Sequence, residues 1–154
     1  MASTYSDRLK LELMETGANA NTWGDNTNTN LQSVDTFNAG YLSKSVAGSS
    51  NITLSTANAD PNSEAANKVI EFTGALTGSI TVFVPAVESN YIFFNITTGS
   101  HTLTVAPTGH ASNGVAITQV LTLSCTTKVI KWWICLLIHL VISLLNVRFK
   151  LVTT

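Results

Sequence analysis

Lys68-Val69-Ile70-Glu71-Phe72-Thr73-Gly74 and, one turn later, Ser79-Ile80-Thr81-Val82-Phe83-Val84-Pro85 decide the fold class. Both runs are rich in β-branched and aromatic residues, and each stops at a residue that ends strands, Gly74 or Pro85. Outward from them the pattern recurs. Residues 51–57 read as a strand followed by the turn Asp60-Pro61-Asn62-Ser63. Residues 90–96 form another, ended by Thr97-Thr98-Gly99-Ser100. Residues 102–106 precede Pro107-Thr108-Gly109, and 115–123 make the last. Short strands with turn signals at nearly regular spacing predict a mainly β fold. Its core over residues 49–124 is expected to be an antiparallel β-sandwich, jelly-roll-like, with no clear internal repeat.

Upstream, residues 1–48 have a different texture. Leu9, Leu11 and Leu13 alternate with Lys10, Glu12 and Met14, which reads as a short strand. The polar run Thr16-Gly17-Ala18-Asn19-Ala20-Asn21-Thr22-Trp23-Gly24-Asp25-Asn26-Thr27-Asn28 follows and reads as a loop, since Asn, Thr and Gly favour turns. Thr29-Asn30-Leu31-Gln32 then has the form of a capping box, predicting an amphipathic helix over about 29–45. Leu31, Val34, Phe37, Tyr41 and Leu42 share one stripe of that helix. One short helix cannot bury such a stripe alone, so it must pack on the β body, on copies of itself or on a larger assembly. Trp23 either buries under the helix or docks on a partner. Trp23, Leu31, Val34, Phe37 and Tyr41 are therefore the candidate assembly residues.

Charge divides the chain near Ser124. Residues 1–124 hold all nine acids and four bases, a net charge of −5; residues 125–154 hold four bases and no acid, +4. All nine Gly and all three Pro precede Ser124, whereas Cys125 and Cys135 follow it. With only 11% charged residues overall, the chain has no basic stripe, which argues against nucleic acid as a partner. Cys125 and Cys135 have no metal spacing, and Met1 to Lys10 lacks the apolar core of a signal peptide.

Residues 125–154 form a hydrophobic basic tail, expected to be helical. Its apolar run, Trp132 to Leu145, has Lys128, Lys131, Arg148 and Lys150 at its two ends, and widened to Val129–Val147 it is close to the length that crosses a bilayer. Lys131 and His139 inside the span weaken the anchor reading. A frameshift fits better. The codons of Trp132-Trp133 after a G give Val-Val in the neighbouring frame. That frame can read Lys, Gly, Asn, Lys, Val, Val, Asp, Met, a β-like continuation. A native buried helix is the third alternative.

Residues capable of chemistry are scattered. His101 and His110 lie beside glycine turns and, with Asp60 or Glu71, outline a hydrolase site only loosely, with no nucleophile elbow. Asp25 and Asp60 lie in Asn-rich loops without the ligand periodicity of a calcium site. Asn51-Ile52-Thr53 and Asn95-Ile96-Thr97 match a glycosylation acceptor but fall within strands. The expectation is a protein without catalytic, cofactor or metal site. An enzyme such as a glycan hydrolase is the weaker alternative, because its carboxylates need no local motif.

Three stretches resemble the tail-fibre and related virion structural proteins of bacteriophages, of the type common in marine phages. The first runs from Leu9-Lys10-Leu11-Glu12-Leu13-Met14 through Thr16-Gly17 and Thr22-Trp23-Gly24 to Asn26-Thr27-Asn28-Thr29-Asn30-Leu31. The second is Ile80-Thr81-Val82-Phe83-Val84-Pro85-Ala86 with Tyr91-Ile92-Phe93-Phe94-Asn95. The third is His101-Thr102-Leu103-Thr104-Val105 leading to Gly114-Val115-Ala116-Ile117-Thr118. The resemblance implies a non-enzymatic virion component made in the host cytoplasm. It would be a homotrimer whose N-terminal part attaches to other tail proteins and whose distal part meets a host-surface glycan or receptor. The last 30 residues depart from the pattern. The other reading of the whole chain is a small membrane-anchored surface protein that displays the β module.

Overall fold

The computed structural model describes residues 4–17 and 19–120. The tail from Cys125 onward, with its anchor and frameshift readings, lies outside the described residues. No helix among the described residues is long and apolar enough to cross a membrane.

The chain opens with a small antiparallel pair, β1 (Thr4–Tyr5) and β2 (Glu12–Leu13), and continues into helix α1 (Trp23–Ala39). Then come β3 (Tyr41–Ser45), β4 (Ile52–Thr53), β5 (Val69–Thr73), β6 (Ile80–Val84), β7 (Ile92–Asn95), β8 (Leu103–Pro107) and β9 (Val115–Ile117). The mainly β class therefore holds: β5 to β8 lie at the expected places, β4 and β9 are shorter than expected, and β1 and β3 fall outside the expected strands. Their pairing does not follow the antiparallel expectation. One sheet has the order β3-β5-β7 and the other β4-β6-β8-β9, and every pair except β8–β9 is parallel.

The topology is a coil. Each circuit takes one strand in the first sheet, bends, takes one strand in the second and returns. Tyr41 lies beside Val69 and Val69 beside Ile92, so the circuit advances 28 residues and then 23. Between the sheets a third, single-bridge ladder runs along the bend, joining Gly48 to Leu76 and Ala75 to Thr98. Parallel neighbours need a long crossover, and here the other sheet supplies it. The circuits are a structural repeat, which their unequal length and lack of shared residues hide in the sequence.

Inward positions of both sheets fill one core: Ile70, Phe72, Ile80, Val82, Val84, Leu103 and Val105, with Val46 and Leu54 from the first circuit. Phe72 stacks on Phe93 at 5.6 Å between ring centroids, and Phe93 on Tyr91 at 5.4 Å. The register Lys44–Phe72–Asn95 puts an apolar residue in the middle circuit and a polar one in each terminal circuit. Solenoid ends need such polar capping, since no further repeat covers them. Gly74 and Gly99 form the bends with φ near +102°. A side chain at Gly99 would also strike the Leu76 carbonyl oxygen, 2.6 Å from where its Cβ would stand.

The helix is displaced from its expected span of 29–45. It begins at Trp23, so the polar loop is shorter, and it ends where the Gly40 N–H donates to the Thr36 carbonyl. Residues 41–45 alternate in burial and pair with β5, a tertiary opportunity that outweighs their helical spacing. In the polar turns of α1, Thr27, Thr29 and Ser33 donate their hydroxyls to carbonyls four residues back, so these side chains are satisfied within the helix itself.

Candidate functional site

The candidate assembly residues fall on two kinds of ground. Trp23, Leu31 and Tyr41 are large and solvent-facing, at 63%, 61% and 57% exposure. Val34 and Phe37 are half-buried. Trp23 stands at the first turn of α1, so it forms no local core beneath the helix. Phe37 lies under the Lys68 ammonium, 5.3 Å from the ring centroid, a cation–π contact. Tyr41 has left the helical stripe. It sits on the outer face of β3 beside Val69, which in turn pairs with Ile92. Loss of hydration and the nearby Glu71 carboxylate raise its phenol pKa.

The side of α1 that carries its contacts is polar. Ser33 is its buried residue. Asn30 accepts from the Glu12 N–H at 2.9 Å and donates to the Glu12 carbonyl at 2.9 Å. Its amide thus stands in for a neighbouring strand and holds β2 against the helix. The Lys10 carbonyl takes the Ala59 N–H, and Arg8 pairs with Glu88, so the N-terminal arm is tied to the return segments of the coil. Around this junction lies a cavity of about 30 Å³, bordered by Lys10, Ser33, Phe37, Asp60 and Tyr91. That volume suits a water or two and no sugar ring.

The far end of the coil is closed by a second amide. Asn95 is 1% exposed. It donates to the Ile117 carbonyl at 2.7 Å and accepts from both the N–H and the hydroxyl of Thr97. Gln119 donates to the Thr97 hydroxyl oxygen and to the Gly99 carbonyl, while the Val120 N–H donates to the Asn95 carbonyl. Neither Asn30 nor Asn95 stands out as a clamp in the sequence. Asn30 was hidden in a run of similar residues. Asn95 carried one visible signal, a polar residue at an inward position of an apolar strand.

The scattered chemical groups are not brought into a site. Asp60 is occupied by the Asn62 N–H and the Ser63 hydroxyl, and Glu71 by the Ser43 hydroxyl. His110 is exposed and precedes a 3₁₀ turn, and His101 is half-buried beside the Gly99 bend. Among the described residues no group of three His, Cys, Asp or Glu is placed to hold a metal ion. Asn51 already holds the next circuit, its side-chain oxygen accepting the Thr81 N–H. Among the ionisable groups, the pair Lys44–Glu64 is half-buried. The Lys44 ammonium holds the Glu64 carboxyl below its ordinary range, helped by the Ser55 N–H.

Comparison with family models, with curated proteins and with solved structures finds no match to this chain.

Proposed function

We propose that the chain is a structural subunit of a phage tail, a tail-fibre or tail-associated protein that acts by assembly and host-surface attachment without catalysis. The observation that carries this reading is the exposure of Trp23, Leu31 and Tyr41 on and just after the helix, ahead of a well-satisfied coil. Large aromatic and aliphatic groups left in water are costly, and aromatic side chains dominate interface hot spots. Among the described residues every buried side-chain polar atom has a hydrogen-bond partner. Such a body suits a passive scaffold, with its buried polar groups already satisfied. The sequence resemblance of residues 9–31 to virion proteins points the same way.

The test is incorporation into particles. Trp23→Ala is expected to keep the circular dichroism of the wild-type chain while its abundance in purified virions falls about tenfold or more. Wild-type incorporation of that variant removes Trp23 from the docking surface. Absence of the wild-type chain itself from purified virions overturns the virion reading. Partition of the wild-type chain into a detergent phase or membrane fraction would favour the membrane-anchored alternative.

A further inference from the structure

Most asparagines with a role in this fold are held by their amides. Asn30, Asn51, Asn67 and Asn95 each bond to backbone elsewhere in the fold. Asn113 is different. It ends the 3₁₀ turn Ala111–Asn113 between β8 and β9, and it is exposed. Among the described residues its side chain meets the neighbouring Ser112 hydroxyl at 3.5 Å, too long to anchor it. Its successor is Gly114, and this is the single Asn-Gly pair in the sequence. Glycine is required there, because a Cβ would stand 2.5 Å from the Thr104 side chain of β8. The Gly114 nitrogen is therefore the least shielded neighbour an asparagine amide can have. Its N–H donates to the Ala111 carbonyl at 3.2 Å, the long end of the range, in a turn of three residues. Opening that exposed turn frees the nitrogen. Asn26, Asn28 and Asn38 lie within α1, where the helix ladder ties up the following N–H.

We propose that Asn113 is a self-modification site whose conversion to isoaspartate loosens the strand that closes the coil. Base removes the proton from the Gly114 nitrogen, which attacks Cγ of Asn113. The N–Cγ bond forms, the Cγ–Nδ2 bond breaks, and Nδ2 takes up a proton and leaves as ammonia. Water then opens the cyclic imide. Cleavage at Cγ gives aspartate, and cleavage at the main-chain carbonyl gives isoaspartate. Either product carries a new carboxylate, with one water consumed and one ammonia released. No oxidant, enzyme or cofactor is needed.

Isoaspartate also adds one carbon to the main chain immediately before β9. The pairs Val105–Val115, Thr104–Ala116 and Leu103–Ile117 begin just beyond it. β9 has little apolar burial to resist a slip, since Val115 is 65% exposed. The Ile117 carbonyl is the acceptor of the Asn95 amide, so a displaced β9 also strains the clamp at the end of the coil. The site needs neither a particle nor a partner, so it is independent of the virion reading.

The full-length chain is aged in mildly acidic and in mildly alkaline buffer, then digested and mapped by mass spectrometry. Asn90 is the internal reference: it is equally exposed in a loop, but Tyr91 follows it. Asn113 is expected to convert about tenfold faster than Asn90 or more, a barrier difference of about 1.4 kcal/mol. Its rate is expected to rise with pH, with isoaspartate present among the products. Amide hydrogen exchange over Val115–Ile117 is expected to be faster in the aged chain than in the fresh one. Asn113→Gln, which would have to close a larger ring, is expected to keep both its amide and the slow exchange of β9 through the same treatment. Conversion at Asn113 no faster than at Asn90, or β9 exchange that is the same in aged and fresh wild type, overturns the proposal.

Discussion

The coil from β3 onward and the arm and helix before it both have to fix their backbone, and they use opposite chemistry. The coil does so with apolar stacking: Ile70, Phe72, Val82 and Leu103 are fully buried on positions repeated from circuit to circuit. The arm has almost no core. It is held by single polar contacts, the Asn30 amide on Glu12, the Lys10 carbonyl on Ala59 and the exposed Arg8–Glu88 pair. Apolar burial adds up over area, whereas a surface ion pair contributes little and a hydrogen bond about 1 kcal/mol net. The coil should therefore unfold as one cooperative unit, and the arm should open before it.

The largest effect is expected from Phe72→Ala. It removes the central ring of the stack and its contact with Phe93, and should cost about 3–5 kcal/mol in chemical denaturation. A loss below about 1 kcal/mol would mean that the stack is not the stabilising body. Asn30→Ala tests the other side. It leaves the Glu12 N–H and carbonyl without their partner and should weaken the arm by about 1–2 kcal/mol. Hydrogen exchange at Glu12 should accelerate while the midpoint of the coil stays put. A matching fall in the coil midpoint would abolish the distinction between the regions.

The smallest effect is a pH dependence at the first circuit. Glu64 has a lowered pKa in the folded chain because Lys44 hydrogen-bonds its carboxylate. Its contribution is thus fully present above its ordinary value of 4.5 and is lost as pH falls through the lowered folded value. Glu64→Gln should cost about 1 kcal/mol at neutral pH and flatten the acid limb of the stability profile. An unchanged acid limb would assign the acid sensitivity to another carboxylate.

Legibility in the sequence followed the range of the interactions. Strands β5, β6, β7 and β8 were readable to within about two residues, because Val, Ile, Phe and Thr runs ending at Gly or Pro are local signals. The helix was readable in kind but misplaced. Tyr41 and Leu42 satisfy helical spacing and strand alternation equally well, and only the presence of β5 beside them chooses the strand. The candidate surface was legible in part: Trp23, Leu31 and Tyr41 are exposed, and Val34 and Phe37 are half withdrawn. The amide clamps were not legible, because an asparagine's partner can lie anywhere in the chain. Asn30 reaches back to Glu12 and Asn95 forward to Ile117.

By itself the sequence determined that this is a β-rich protein with a polar, helical approach to its β body and a change of character near Ser124. Those properties depend on residue type and spacing. The tertiary structure alone decided that the strands run parallel, that they coil through two sheets around one core, and that the coil is closed at Asn95 and open at β3. A strand's side-chain alternation is the same whichever way its neighbour points. Direction is set by which distant segment arrives beside it, and Val69 beside Tyr41 and Ile92 beside Val69 are contacts of that kind.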